Sequence, residues 1–157
     1  MRGIVEQVSV SGGGLPKRAV PEARAGAQGL EGDRQRNTKI HGGPRKAVLL
    51  ISAEDLEELA REGFPVGAGS LGENLTVRGI DFRALGAGLR FRAGEALLEL
   101  TKPRQPCAQL EPYNGGRAGR IQAALTERHA RGGFYAAVLE EGLIRAGDII
   151  ALAGPNS

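Results

Sequence analysis

The chain has a single cysteine, Cys107, in 157 residues. One thiol excludes an internal disulfide and a zinc site built from several thiolates. It also excludes an iron–sulfur cluster held by cysteines. Aromatic residues are scarce too, and four Phe and two Tyr offer few platforms for stacking on bases. The net charge is only +3, and the basic residues are mostly scattered arginines rather than a patch. Nucleic acid is therefore not expected as the main partner. No apolar run is long enough to cross a membrane, so none is expected as a partner. Met1 to Gln7 lacks the apolar core of a signal peptide. A cytoplasmic location is expected, where a free thiol stays reduced.

The composition is that of a globular chain, with 41% hydrophobic and 25% charged residues. There is no linker or low-complexity tract. A single domain over residues 1–157 is expected, with its core from about Ile4 to Leu152. Short apolar stretches punctuated by glycine predict strands at Ile4–Val10, Val48–Ile51, Asn74–Val77, Leu89–Phe91, Glu95–Thr101, Phe134–Leu139 and Asp148–Leu152. A turn at Glu140–Gly142 is expected to join the last two. Ser52-Ala53-Glu54-Asp55 has the form of a capping box, and Leu56, Leu59 and Ala60 follow as the apolar stripe of a helix. A second helix is predicted from about Arg120 to Ala130, with Ile121, Ala124 and Leu125 on its buried face. The fold class is mainly β with a few helices. A closed or nearly closed barrel would hide the edges of so many strands.

Cys107 ends a loop, Pro103-Arg104-Gln105-Pro106-Cys107, that two prolines stiffen. Two readings stand for it. A lone thiol is most often a small buried hydrophobe. Beside a cation such as Arg104, however, it becomes a thiolate that attacks electrophiles or binds a soft metal. Two further segments are polar and rich in glycine. His41-Gly42-Gly43-Pro44 places an imidazole next to an open backbone, or is simply a turn before a strand. In Gly69-Ser70-Leu71-Gly72-Glu73-Asn74-Leu75, Glu73 and Asn74 are either turn formers or a carboxylate and an amide for a ligand.

Taken in order, the motifs are Gly-Leu-x-Gly-Asp (Gly29 to Asp33), His-Gly-Gly-Pro-x-Lys-Ala-Val (His41 to Val48), Gly-Ser-Leu-Gly-Glu-Asn-Leu-Thr-Val (Gly69 to Val77) and Pro-Arg-x-Pro-Cys (Pro103 to Cys107). Gly-Phe-Tyr-Ala-x-Val-Leu-x-x-Gly (Gly133 to Gly142) and Ala-Gly-Asp (Ala146 to Asp148) close the series. The set resembles the MOSC domain, named for the C-terminal part of molybdenum cofactor sulfurase, and in particular its small free-standing bacterial members.

The resemblance implies a MOSC-type β-barrel and a molybdenum–pyranopterin cofactor (molybdopterin). Cys107 matches the family cysteine that ligates the metal or carries sulfur. A metal already held by pterin sulfurs can accept one more soft thiolate. The pterin phosphate calls for cations or backbone N–H donors. Arg104, Lys17 and the Ser11-Gly12-Gly13-Gly14 loop are the candidates. His41 and Asn74 follow as cofactor contacts, while Glu73 either touches the ligand or braces Asn74 and its turn. Pyridoxal phosphate is not expected as a ligand.

Longer relatives such as the mitochondrial amidoxime-reducing component carry an additional N-terminal barrel, for which this chain has no room. No flavin or nicotinamide fingerprint is present, so redox turnover would need an external electron-transfer protein. Three functions follow. One is a molybdenum enzyme that reduces N-hydroxylated compounds at a Cys-ligated metal. The second is a non-catalytic carrier of the cofactor, or of activated sulfur as a persulfide on Cys107. The third is a barrel with no cofactor, in which Cys107 only packs. Oligomeric state has no signal in the chain.

Overall fold

The computed structural model describes residues 1–34, 43–115 and 120–154. It contains strands β1 (Arg2–Val10), β2 (Arg18–Val20), β3 (Glu22–Gly26), β4 (Gly29–Leu30) and β5 (Val48–Ser52), then helix α1 (Ala53–Arg61). Strands β6 (Leu75–Arg78), β7 (Arg90–Ala93) and β8 (Ala96–Pro103), helix α2 (Arg120–Thr126) and strands β9 (Phe134–Glu140), β10 (Gly142–Arg145) and β11 (Ile149–Leu152) follow. Seven strands run β11-β7-β8-β9-β5-β6-β1, and β1 returns to pair with β11, so the barrel closes. Strand β2 adds to one margin of β1, and β10, β3 and β4 form a small separate sheet. Only β5 and β6 pair in parallel among the described strands. Closure removes the unpaired edges that a sheet of this length would otherwise expose.

The apolar run of β5 has a simple cause, since both of its faces are covered. Val48 and Leu50 point into the barrel with Val5, Leu75, Phe91 and Phe134. Ile51 points the other way, into a second core with Leu56, Leu59, Phe64, Leu110 and Ile121. That outer core glues α1 and α2 to the barrel wall.

The capping box is realised in part: Ser52 Oγ accepts from Asp55 N at 3.1 Å, while the Asp55 carboxylate turns to Arg128. The buried stripe of α1 is Ala53, Leu56 and Leu59, and Ala60 faces solvent. Helix α2 is shorter than its sequence pattern suggests. The Arg131 guanidinium donates to Ala124 O, and the Thr126 hydroxyl bonds Gln122 O and Ala123 O. These side chains occupy carbonyls at the end of the helix, and Ala130 enters the left-handed region at φ 59°. Glu140–Gly142 does not lead straight to the last strand, because β10 intervenes and pairs with β3.

Candidate functional site on the outer face of the barrel wall

In register, Leu49 of β5 lies opposite Tyr135 of β9. Their neighbours Leu50 and Phe134 point into the barrel, so strand alternation sends Leu49 and Tyr135 outward. Asn74 stands beside Leu49, one residue before β6 begins, and its backbone N–H donates to Leu49 O. A cavity of about 40 Å³ sits on this outward row, lined also by Gly14, Leu15 and Lys17 after β1. Leu71 and Gly72 before β6, and Arg104, Cys107 and Gln109 after β8, complete three more of its sides, with Arg34 and Lys46.

The structure thus brings Cys107, Arg104, Asn74 and Lys17 together at one cavity. His41 lies outside the described residues. Ser11 and Glu73 do not line the cavity; their side chains are used on neighbouring loops. Ser11 Oγ donates to Gly14 O at 3.0 Å and accepts from Gly13 N, which shapes the glycine loop. Glu73 is fully buried, and its Oε2 accepts from Gly69 N and the Thr76 hydroxyl, both at 2.9 Å. Its Oε1 has no hydrogen-bond partner among the described residues, and burial raises its pKa.

Asn74 lines the cavity with an amide that is already engaged. Oδ1 accepts from Leu49 N at 3.0 Å, and Nδ2 donates to Ser9 O and to Asp33 Oδ2. It extends the sheet bonding where β6 has not yet started and ties β5 to β1. Asp33 is the hub of this corner. It accepts from Ser11 N and Asn74, and forms a 2.7 Å ion pair with Lys17 in which both side chains are buried.

Arg104 is buried too. Nε donates to Gly132 O at 2.9 Å and Nη2 to Leu71 O at 2.8 Å, so the guanidinium ties the Cys107 loop to two others. Burial pulls its pKa down, against the opposing influence of Tyr135, Cys107 and Glu73. Tyr135 is shifted up by burial, with Arg104 working the other way. Lys46 is shifted down by desolvation and then by Lys102, and its Nζ lies 5.4 Å from the centre of the Tyr135 ring. Cys107 is half-buried and caps a short 3-10 helix, Ala108–Asn114. Gln122 of α2 donates to Cys107 O at 3.1 Å, which steadies that turn.

The lining is therefore one thiol, four cations (Lys17, Arg34, Lys46, Arg104), two amides and a phenol, with no carboxylate among the described lining residues. Such a surface favours an anion that carries a soft centre. Among the described residues no group of three or more His, Cys, Asp or Glu could hold a metal by protein ligands alone. Arg34, Lys46, Tyr135 and Asp33 were not foreseen as parts of the site. Asp33, Lys46 and Tyr135 lie inside recognised motifs, so a signal existed for them, although only the register shows that Tyr135 faces outward.

The MOSC domain family matches residues 37–151, most of the chain. The chain belongs to the MOSC domain family. MOSC domains are associated with proteins of the molybdenum cofactor. This MOSC chain is 37% identical over 124 residues to YflK, an uncharacterized protein of Bacillus subtilis (strain 168), covering 76% of the chain and 53% of YflK. It is 41% identical over 87 residues to the protein YiiM of Escherichia coli (strain K12), covering 52% of the chain and 38% of YiiM. The matched part thus spans about half the length of the first relative and less of the second. The crystal structure of YiiM from Geobacillus stearothermophilus superposes with a TM-score of 0.77 at 27% identity, over 97% of this chain and 75% of that one. YiiM from Escherichia coli gives 0.75 at 28% identity, over 98% and 70%. The barrel is therefore a MOSC-type barrel. Among the described residues no helix is long and apolar enough to cross a membrane.

Proposed function

We propose that this MOSC domain binds the molybdenum–pyranopterin cofactor with Cys107 as a metal ligand, and reduces N-hydroxylated compounds using electrons from an external carrier. The observation that carries this reading is the cavity lining, in which one thiol stands among four cations, of which Lys17 is ion-paired to Asp33 behind it. The donor set fits the group. Arg34, Lys46 and Arg104 suit a phosphate and an anionic metal–sulfur centre, and the half-buried thiol suits a soft metal. When bound, the cofactor supplies a metal that can take up oxygen and exchange electrons.

The chain's own residues do the rest. Arg104 anchors the Cys107 loop through Gly132 O and Leu71 O, so the thiol is presented by a stiff segment rather than a floppy one. Asp33 and Asn74 hold Lys17 and the Ser11–Gly14 loop in place. Tyr135 and Leu49 form an apolar floor that keeps water from solvating the bound anion.

The test is Cys107→Ser, expressed in cells that make the cofactor. Cys107 is only half-buried and the swap is nearly isosteric, so the melting temperature should stay within a few degrees, about what less than 1 kcal/mol produces. Bound molybdenum and the reduction of an N-hydroxylated substrate by an artificial electron donor should both be lost. Full molybdenum occupancy in the serine variant would overturn the reading. Retained cofactor in the parent with no reduction would keep the binding, remove the reaction and favour a carrier.

A further inference from the structure

The cations around Cys107 are not confined to the lining of its cavity. Lys102 of β8 lies opposite Tyr135 of β9 and shares its outward side. Lys46 Nζ lies 5.4 Å from the centre of the Tyr135 ring, near enough to Lys102 for the two charges to oppose each other. Arg45 comes just before Lys46 in a 3-10 turn, Pro44–Lys46, and its carbonyl accepts from the Thr101 hydroxyl of β8 at 2.6 Å. That bond fixes the turn against the barrel wall, so Arg45, Lys46 and Lys102 share one side of the site. Arg45 and Lys102 are exposed and do not line the cavity.

Elsewhere the chain neutralises its cations. Eight arginines away from this face meet a carboxylate among the described residues. Arg45 and Lys102 have no carboxylate within ion-pair distance among the described residues, and Glu99, earlier in β8, is engaged with Arg90 at 3.1 Å. Positive charge left uncompensated beside a cleft attracts polyanions and speeds their arrival. The nearby aromatic ring, Tyr135, is buried beneath Lys46, so nucleic-acid bases would find no platform for stacking. An acidic protein surface needs no such platform.

We infer that Arg45, Lys46 and Lys102 form the docking face for an electron-carrying protein of acidic surface, which meets the domain beside the Cys107 cavity. The partner's role as reductant rests on the function proposed above; the charge of the face does not. Lys46 belongs to both face and cavity, so a carrier docked here stands next to the site it must reduce. Cleaving an N–O bond to give N–H and water takes two electrons and two protons. The carrier is oxidised as it supplies the electrons in successive encounters, and the protons come from solvent. Such encounters must be brief, and charge complementarity serves their on-rate more than their affinity.

Flavodoxin, a small electron carrier of acidic surface, is the probe. Its association with protein purified from cofactor-making cells is followed by stopped flow at low and high salt. The rate should fall as salt rises. Arg45→Glu combined with Lys102→Glu should slow association at low salt at least about tenfold. Both positions are exposed, so the variant should fold and should still reduce substrate with a small artificial donor as the parent does. Arg2→Glu is a control for net charge, since Arg2 is exposed on β1, across the ring of strands from β8, and it should change the rate by less than about twofold. A double variant that associates as fast as the parent would overturn the inference, as would a duplex oligonucleotide that binds the parent more tightly than flavodoxin does. Reduction with the artificial donor but no flavodoxin binding would end the docking face and spare the reaction. Flavodoxin binding through this face with no reduction by either donor would leave the face and remove the reaction.

Discussion

Burying the Arg104 guanidinium takes a cation out of water, and among the described residues no carboxylate lies within ion-pair distance of it. Two backbone carbonyls compensate instead. Arg104→Met would relieve the desolvation of the charge but leave Gly132 O and Leu71 O buried without a donor, at about 1–3 kcal/mol each. The second effect should win, because the arginine already recovers part of its desolvation through those bonds. A net loss of about 1–3 kcal/mol is expected in urea unfolding. Weaker cofactor retention should accompany it, since one anion contact goes as well. Glu73 poses the opposite problem. Its folded pKa is raised above the ordinary glutamate value of 4.5, chiefly by burial. The stability it contributes is complete below the unfolded value and is lost as pH rises through the folded one. Glu73→Gln keeps an acceptor for Gly69 N and the Thr76 hydroxyl but has no proton to lose. As pH rises above the ordinary glutamate value of 4.5, the parent should lose stability relative to the variant, as read from urea midpoints at each pH. Identical pH profiles would contradict the assignment.

At the scale of elements, Arg131 joins the two helices. Its buried side chain donates to Glu58 at 2.8 Å and to Glu62 of the α1 segment, and to Glu127 and Ala124 O after and within α2. The residue next to it, Gly132, supplies the carbonyl that holds Arg104. Arg131→Met should cost about 1–3 kcal/mol rather than the roughly 3–5 kcal/mol of a broken buried pair. The three carboxylates are 38%, 39% and 66% exposed and can return to water. Guanidinium chloride unfolding of the single variant measures this. Elements of this kind were unequally visible in the sequence. Helix α1 and strands β5 and β8 announce themselves through apolar spacing and a cap. Strands β3 and β10 do not, because Glu-Ala-Arg-Ala-Gly and Gly-Leu-Ile-Arg are short, carry arginines, and pair with each other only through the tertiary fold. The same holds for the site. Cys107, Arg104 and Asn74 stand in motifs that draw the eye, but the work of Asn74 in bridging β5 to β1 depends on a neighbour far away in the chain. Arg34 looks like any of the scattered surface arginines until the fold places it in the lining of the same cavity as Cys107.

For the whole molecule, the cavity takes residues from Gly14 to Tyr135, so it exists only when the barrel wall and its covering loops are all in place. A ligand held there would stabilise the native state as a unit. The barrel itself depends on one seam, where β1 meets β11 with Arg2 opposite Ala151 and Ile4 opposite Ile149. Contacts between residues so distant in sequence are slow to form. The antiparallel seam also has a mechanical consequence. Leu152 N bonds Met1 O at 2.9 Å, so handles attached at these two residues pull on the same end of the ladder. Tension would then load one rung at a time, and the seam would peel open like a zip instead of resisting as a sheared bundle of bonds. The pairing that closes the ring of strands is thus the one that tension on these two residues should open first.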